Sequence, residues 1–215
     1  MNFKATLAAL SVALLPAAGI ATAQEAGDKS INLGLSIFGG TLSGSYRINS
    51  KFGARGLVMG GLGYKTNLTR DGVDYSLDGK LGATGLLADF YPTEGNWRVS
   101  GGIIHSTSSI KATGTLSATN PYKAFTNGSI DASLKFNRSY IPTVTTGYDW
   151  QFGDKWQLSG EVGAMFINGA ALSVTSNDAA IQAQLDADAT ITGYKNDAAK
   201  LKVFPYLGLS VGLRF

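Results

Sequence analysis

LKVFPYLGLSVGLRF, Leu201 to Phe215, carries an apolar residue at every odd position: Leu201, Val203, Pro205, Leu207, Leu209, Val211, Leu213 and Phe215. The even positions include Lys202, Ser210, Arg214 and two glycines, and only Phe204 and Tyr206 blur the contrast. A period of two sustained this long reads as a β-strand with one oily face and one mostly small or polar face. The fold then turns on what the rest of the chain offers to that oily face.

At the other end, Met1 to Ala23 combines a basic start at Lys4, an apolar run from Ala5 to Ile20 and the tripeptide Ala21-Thr22-Ala23. This pattern is a secretory signal peptide with an A-x-A cleavage site, so residues 1–23 are expected to be removed and residues 24–215 to form one domain. After Ala23 no run approaches the roughly 18 apolar residues of a transmembrane helix. The composition, 44% hydrophobic with 28 glycines and 15% charged, suits a membrane barrel and a soluble β-sandwich alike. The absence of cysteine excludes a disulfide scaffold and thiol-based metal or redox chemistry. A net charge of +3 with no basic block gives no reason to expect a nucleic-acid partner. Phosphate-cradling loops, zinc spacings and EF-hand patterns are all missing, so neither a metal nor a cofactor is expected.

Three stretches share one design, in which an alternating segment reaches aromatic residues, turns, and leaves as another alternating segment. They are YRINSKFGARG (Tyr46 to Gly56), DFYPTEGNWRVSGG (Asp89 to Gly102) and YDWQFGDKWQLSGE (Tyr148 to Glu161). Asn49-Ser50, Thr93 to Asn96 and Gly153-Asp154 supply the turn chemistry. Tyr46, Tyr91, Trp97, Tyr148, Trp150 and Trp156 all lie beside these turns, as expected of an aromatic girdle at one membrane surface.

Tracking the alternation gives eight strands. The first carries Ile31, Leu33, Leu35 and Ile37, and Gly39-Gly40 folds it back into a second bearing Leu42, Gly44, Tyr46 and Ile48. A single strand from Ile31 to Ile48, giving seven in all, is the alternative. The third runs from Ala54 to Leu68, and the fourth from Tyr75 to Tyr91 with a phase shift near Gly85-Leu86-Leu87 that a β-bulge would explain. The fifth runs from Trp97 through Ile103, the sixth from Ile130 to Trp150, the seventh from Trp156 to Val174, and the eighth from Leu201 to Phe215. Both termini then share an end with the three tight turns. The opposite connections are Gly39-Gly40, a turn at Arg70-Asp71-Gly72, a loop from Ala112 to Gly128 and a segment from Thr175 to Ala199. In the last, NDAAIQAQLDADA predicts either one short helix, capped by Asn177 or Asp178 with Ile181 and Leu185 on one face, or a disordered alanine-rich loop.

The final strand, ending on Phe215, resembles the assembly signal of bacterial outer-membrane β-barrels, with Leu209, Val211, Leu213 and Phe215 as its residues. Through YRINSKFGARG, DGVDYSLDGKLGATGLLADFYP and WRVSGG, the chain from residue 24 onward is similar to small barrels of the broad group that includes the OmpA transmembrane domain, OmpX and OmpW, and to uncharacterised proteobacterial barrel proteins. The resemblance implies an all-β, eight-stranded antiparallel transmembrane β-barrel in the bacterial outer membrane. It also implies outer-membrane lipids, lipopolysaccharide and the assembly machinery as partners, and a monomeric state.

With the apolar parity facing lipid, the other parity lines the lumen and holds Arg47, Arg55, Asp89, Arg98, Asp149, Glu161, Lys202 and Arg214. Eight strands enclose little more than their own side chains. These charges therefore form either a plug of mutually paired groups or a narrow conduit for small solutes, biased toward anions by the excess of arginine. Catalysis is not expected. His105 in GGIIHSTSS has Ser106, Ser108 and Ser109 beside it, but no acidic orienter of the same parity. The functional expectation is porin-like passage or a structural role, with surface adhesion through the loops, and more remotely lipid A modification, as alternatives.

Overall fold

The computed structural model describes residues 26–70, 73–116 and 129–215. The expected signal peptide and its cleavage site, the turn tip at 71–72 and residues 117–128 of the third loop lie outside them. The elements in chain order are β1 (Lys29–Ser36), β2 (Gly39–Arg47), β3 (Phe52–Arg70), β4 (Val73–Phe90), β5 (Trp97–Ser106), β6 (Ser109–Leu116), β7 (Ser129–Phe136), β8 (Tyr140–Phe152), β9 (Trp156–Met165), β10 (Ala170–Ser176), α1 (Ala179–Ala187), α2 (Ala189–Lys200) and β11 (Phe204–Arg214).

Eight of these strands form a closed antiparallel ring in the order β1-β2-β3-β4-β5-β8-β9-β11. The ring shuts where β1 pairs with β11, from Ser30↔Arg214 to Ser36↔Gly208. The first hairpin is thus two strands, with Ile37-Phe38 as their connection. Closure leaves these strands no free edge over the barrel. Among the described residues no helix is long and apolar enough to cross a membrane.

Both described ends of the chain and the three tight turns lie at one end, termed here the turn end. Asn49 builds one of these turns by accepting the N–H groups of Lys51 and Phe52 on its Oδ1, each at 2.9 Å. Another uses Gly153 at φ 64°, in the left-handed region that a Cβ disfavours.

At the opposite, loop end the wall continues as an open sheet. Strand β4 pairs with β5 from Ala83 to Phe90, but with β6 from Val73 to Lys80. The order β3-β4-β6-β7-β10 therefore extends beyond the barrel. Three expectations change here. The expected sixth strand breaks into β7 and β8 around residues 137–139, and the expected seventh into β9 and β10 around residues 166–169, where Asn168 and Gly169 take φ values of 57° and 97°. The loop expected from Ala112 begins as strand β6.

The β-bulge sits in β3, not β4. Register shifts between Met59 and Leu62, with Gly61 at φ 87°, while β4 keeps one phase. The apparent phase shift arose because Leu81 and Ala83 pack toward the interior, so apolar parity there is not outer parity.

The last connection holds two helices rather than one. Asp178 caps α1 by accepting the N–H groups of Ala180 and Ile181 at 2.8 and 3.1 Å, and Asp188 caps α2 through Thr190 and Ile191 at 2.7 and 3.3 Å. Ile181 is buried, and Ile130 and Leu185 pack against it.

Candidate functional site

Barrel strands alternate side chains across their wall, which fixes what the lumen contains. Its turn-end half is polar. Arg47 on β2, Arg55 on β3 and Arg98 on β5 are buried, as are Asp89 on β4, Asp149 on β8 and Glu161 on β9. Among the described residues the buried lumen thus holds three arginines and three carboxylates, without the expected excess of arginine.

Arg55 is the hub. Its two terminal nitrogens donate to the two oxygens of Glu161, each at 2.7 Å, and Nη2 also donates to Asp89 Oδ1 and Ser100 Oγ at 3.2 Å. Ser100 Oγ donates to Asp89 at 2.5 Å, and Thr145 Oγ1 donates to Glu161 at 2.5 Å. Arg98 pairs with Asp149, which also accepts from Ser159 at 2.6 Å, and the Arg98 Nη2 lies 3.6 Å from Glu161. Paired, bidentate geometry of this kind offsets the several kcal/mol that burying each charge costs. Gln157, Asn32 and Ser30 continue the network, with Gln157 Nε2 donating to Asn32 Oδ1 at 2.6 Å.

Arg47 closes the turn end. It donates to the carbonyls of Asn49, Ser50, Glu94 and Gly95, and its guanidinium carbon lies 3.4 Å from the centre of the Tyr91 ring. Tyr91 is therefore buried beneath the lumen rather than in the girdle, because it shares the inward parity of Asp89. Tyr46, Trp97 and Trp156 are exposed on the outside, and Tyr148 and Trp150 are half-buried with ring centres 5.1 Å apart.

Two other candidates lie away from the network. Lys202 is exposed in the link between α2 and β11, since the strand begins only at Phe204. Arg214 sits at the turn-end rim, where Nη2 donates to the Asp154 carbonyl at 3.2 Å. Leu209, Val211, Leu213 and Phe215 all face outward and are exposed.

The loop-end half of the lumen is apolar. Leu57, Met59, Ala83, Leu87, Ile104 and Ile141 are buried on the inner face, joined by Met165 and Tyr206. Phe38 from the first hairpin and Ile167 from the β9–β10 connection complete the cluster. Around Arg55 and Arg98 there remain two cavities of about 20 Å³ each, room for roughly one water apiece.

Alternation alone did not find this second layer, because it assigns every apolar residue to lipid. The legible signal is a set of apolar doublets, Leu57-Val58, Leu86-Leu87, Ile103-Ile104 and Met165-Phe166. A doublet makes both faces of a strand apolar, and these recur at one level around the ring.

His105 lies at the loop end of β5, its ring 4.7 Å from that of Tyr140. Ser108 Oγ is engaged by Gly82, accepting its N–H and donating to its carbonyl at 3.1 Å each. Glu161 lies within the lumen, bonded to Arg55.

A closed ring of eight antiparallel strands, apolar outside and filled inside, defines the class: this is the fold of a small bacterial outer-membrane β-barrel. Two crystal structures share it, CarO and CarO2 of Acinetobacter baumannii, each with a TM-score of 0.59. Identity is 16% and 17%; each alignment covers 89% of this chain, with 98% of CarO and 100% of CarO2. The likeness is one of fold. No protein-family model matches the chain, and no curated protein does. The resemblance to the OmpA transmembrane domain, OmpX and OmpW is thereby carried only as far as the small outer-membrane barrel.

Proposed function

We propose that this chain is a non-conducting barrel of the Gram-negative outer membrane, a structural component that presents its open sheet and two helices at the cell surface. The observation carrying this reading is that the lumen is obstructed twice in series, by the Arg55 and Arg98 ion network and by the apolar layer from Phe38 to Tyr206. A hydrated ion entering from the loop end meets a layer of hydrocarbon and thioether side chains in which the Tyr206 hydroxyl is the one strong hydrogen-bonding group.

Short turns and both termini are periplasmic in this architecture, so the extension faces outward. The chain reaches that site through export and cleavage of residues 1–23, with the β11 residues Leu209 to Phe215 offered to the insertion machinery. It acts as a monomer in contact with outer-membrane lipid and lipopolysaccharide, and without catalysis.

A second reading, surface recognition, is favoured by the extension itself, which has no part in closing the barrel. Full-length mature protein in planar bilayers tests the first reading. Silent membranes are expected, and discrete conductance steps would overturn it.

A further inference from the structure

Where the wall passes from barrel to extension, two neighbouring strand pairs part. Strands β5 and β8 pair up to His105↔Tyr140, while β6 and β7 pair from Ile110↔Leu134 onward. Between these rungs only the Ser106 N–H reaches across, donating to the Ser139 carbonyl at 2.8 Å. A cleft of about 270 Å³ opens there, with Ser106 to Ser109 on one lip and Lys135, Phe136, Arg138 and Ser139 on the other.

The lining has a definite chemistry. It contains two cations and no carboxylate. Lys135 and Arg138 are exposed and, among the described residues, neither has an ion-pair or hydrogen-bond partner. The hydroxyls of Thr107, Ser109 and Ser139 are likewise uncommitted there. Ser108 is spent on Gly82, which fixes one lip to β4. Donors of this kind, with positive charge and hydroxyls on a slotted surface, match the oxygens of a phosphate group.

Height on the barrel decides where such a phosphate comes from. Strand β5 has 10 residues and starts at the girdle residue Trp97. At about 3.3 Å per residue and a tilt of roughly 40°, it climbs roughly 23 Å to Ser106, close to the ~25 Å height of an outer-membrane apolar band. Directly below the cleft, Tyr140 is 68% exposed and packed on His105, the position of an interfacial aromatic. The cleft therefore sits at the headgroup level of the outer leaflet.

We propose that this cleft binds a phosphorylated headgroup of an outer-leaflet lipid, with Lys135 and Arg138 taking the phosphate and Thr107, Ser109 and Ser139 its remaining oxygens. The inference rests on the outer-membrane reading above.

Full-length mature protein in nanodiscs, probed with bis-phosphorylated lipid A by native mass spectrometry, tests it. The Lys135→Gln/Arg138→Gln variant should retain the lipid about tenfold less or weaker still, since loss of one charge-assisted contact is worth about a factor of ten. Lys111→Gln, outside the cleft, and dephosphorylated lipid A on the wild type serve as controls. Equal retention by the double variant, equal loss in Lys111→Gln, or no preference for the phosphorylated lipid would each overturn the proposal. Displacement by millimolar inorganic phosphate would assign the cleft to free phosphate and overturn the lipid source. Failure of wild type and variant alike to enter the bilayer would instead remove the outer-membrane reading.

Discussion

Replacing Arg55 with methionine asks whether the lumen is dry. The substitution keeps an unbranched stem about as long as the aliphatic part of arginine and removes the guanidinium with its charge, so Glu161 loses two 2.7 Å bonds and Asp89 one at 3.2 Å. All three groups are at most 7% exposed, so the stranded carboxylates have little access to water. Removing one partner of a buried pair costs about 3 to 5 kcal/mol, whereas an ion pair in a hydrated channel is worth about 0 to 1 kcal/mol. Arg55→Met is therefore expected to destabilise the barrel by about 3 kcal/mol or more, a shift of roughly two powers of ten in the folded ratio. The assay is reversible urea unfolding from short-chain phosphatidylcholine vesicles, followed by emission from Trp97, Trp150 and Trp156 near the turn end. Adding Glu161→Gln restores two cations against two carboxylates and should recover much of the loss. A cost under about 1 kcal/mol for the single variant, with no recovery in the double, would mean a solvated lumen and refute the plug.

The apolar layer predicts a contrast between neighbours: Ile104→Ala, fully buried, should cost about 2 to 5 kcal/mol in the same assay, and Ile103→Ala, 53% exposed on the outer face, less than half of that. Asp188 predicts a pH response outside the membrane. Hydrogen bonds from the Thr190 and Ile191 amides hold its carboxyl below the usual carboxylate range. A depressed folded value means that the cap's contribution is complete above the unfolded pKa of about 3.9 and is lost as pH falls through the lower, folded value. Amide hydrogen exchange at Thr190 to Thr192 should stay protected at pH 5 and weaken below about pH 4; unchanged protection in acid would remove the capping role.

The barrel strands were legible in the sequence for a physical reason. Lipid tolerates only apolar side chains on one parity, and Ile31, Leu33, Leu35, Leu207, Leu209, Val211 and Leu213 keep that parity without interruption; all are exposed on the outer face. Above the barrel that constraint lapses. Ile130 and Phe136 belong to the expected outward parity but pack inward, against Ile181 and the lumen cluster respectively, because the break at residues 137–139 reorients the strand. Within the lumen, charged residues were visible by parity, but their partners were not. That Arg55 takes Glu161 across the barrel depends on strand tilt and register, which no local pattern carries. Arg214 shows the complementary failure: its parity is right for the lumen, yet its height on β11 leaves it at the rim.

Strands β3 and β4 run together without a break in their pairing partner, from Phe52↔Phe90 at the turn end to Arg70↔Val73 at the tip, with a single register shift on the way. Their lower portions are staves of the closed tube, and their upper portions are beams of the open sheet. A tensile load applied at the Arg70↔Val73 end pulls both strands the same way along their axes, so it is resisted in shear by the ladders that tie the pair to β2 and β5, whose backbone hydrogen bonds share the load instead of unzipping singly. A grip on the open sheet is thereby passed straight into the closed ring.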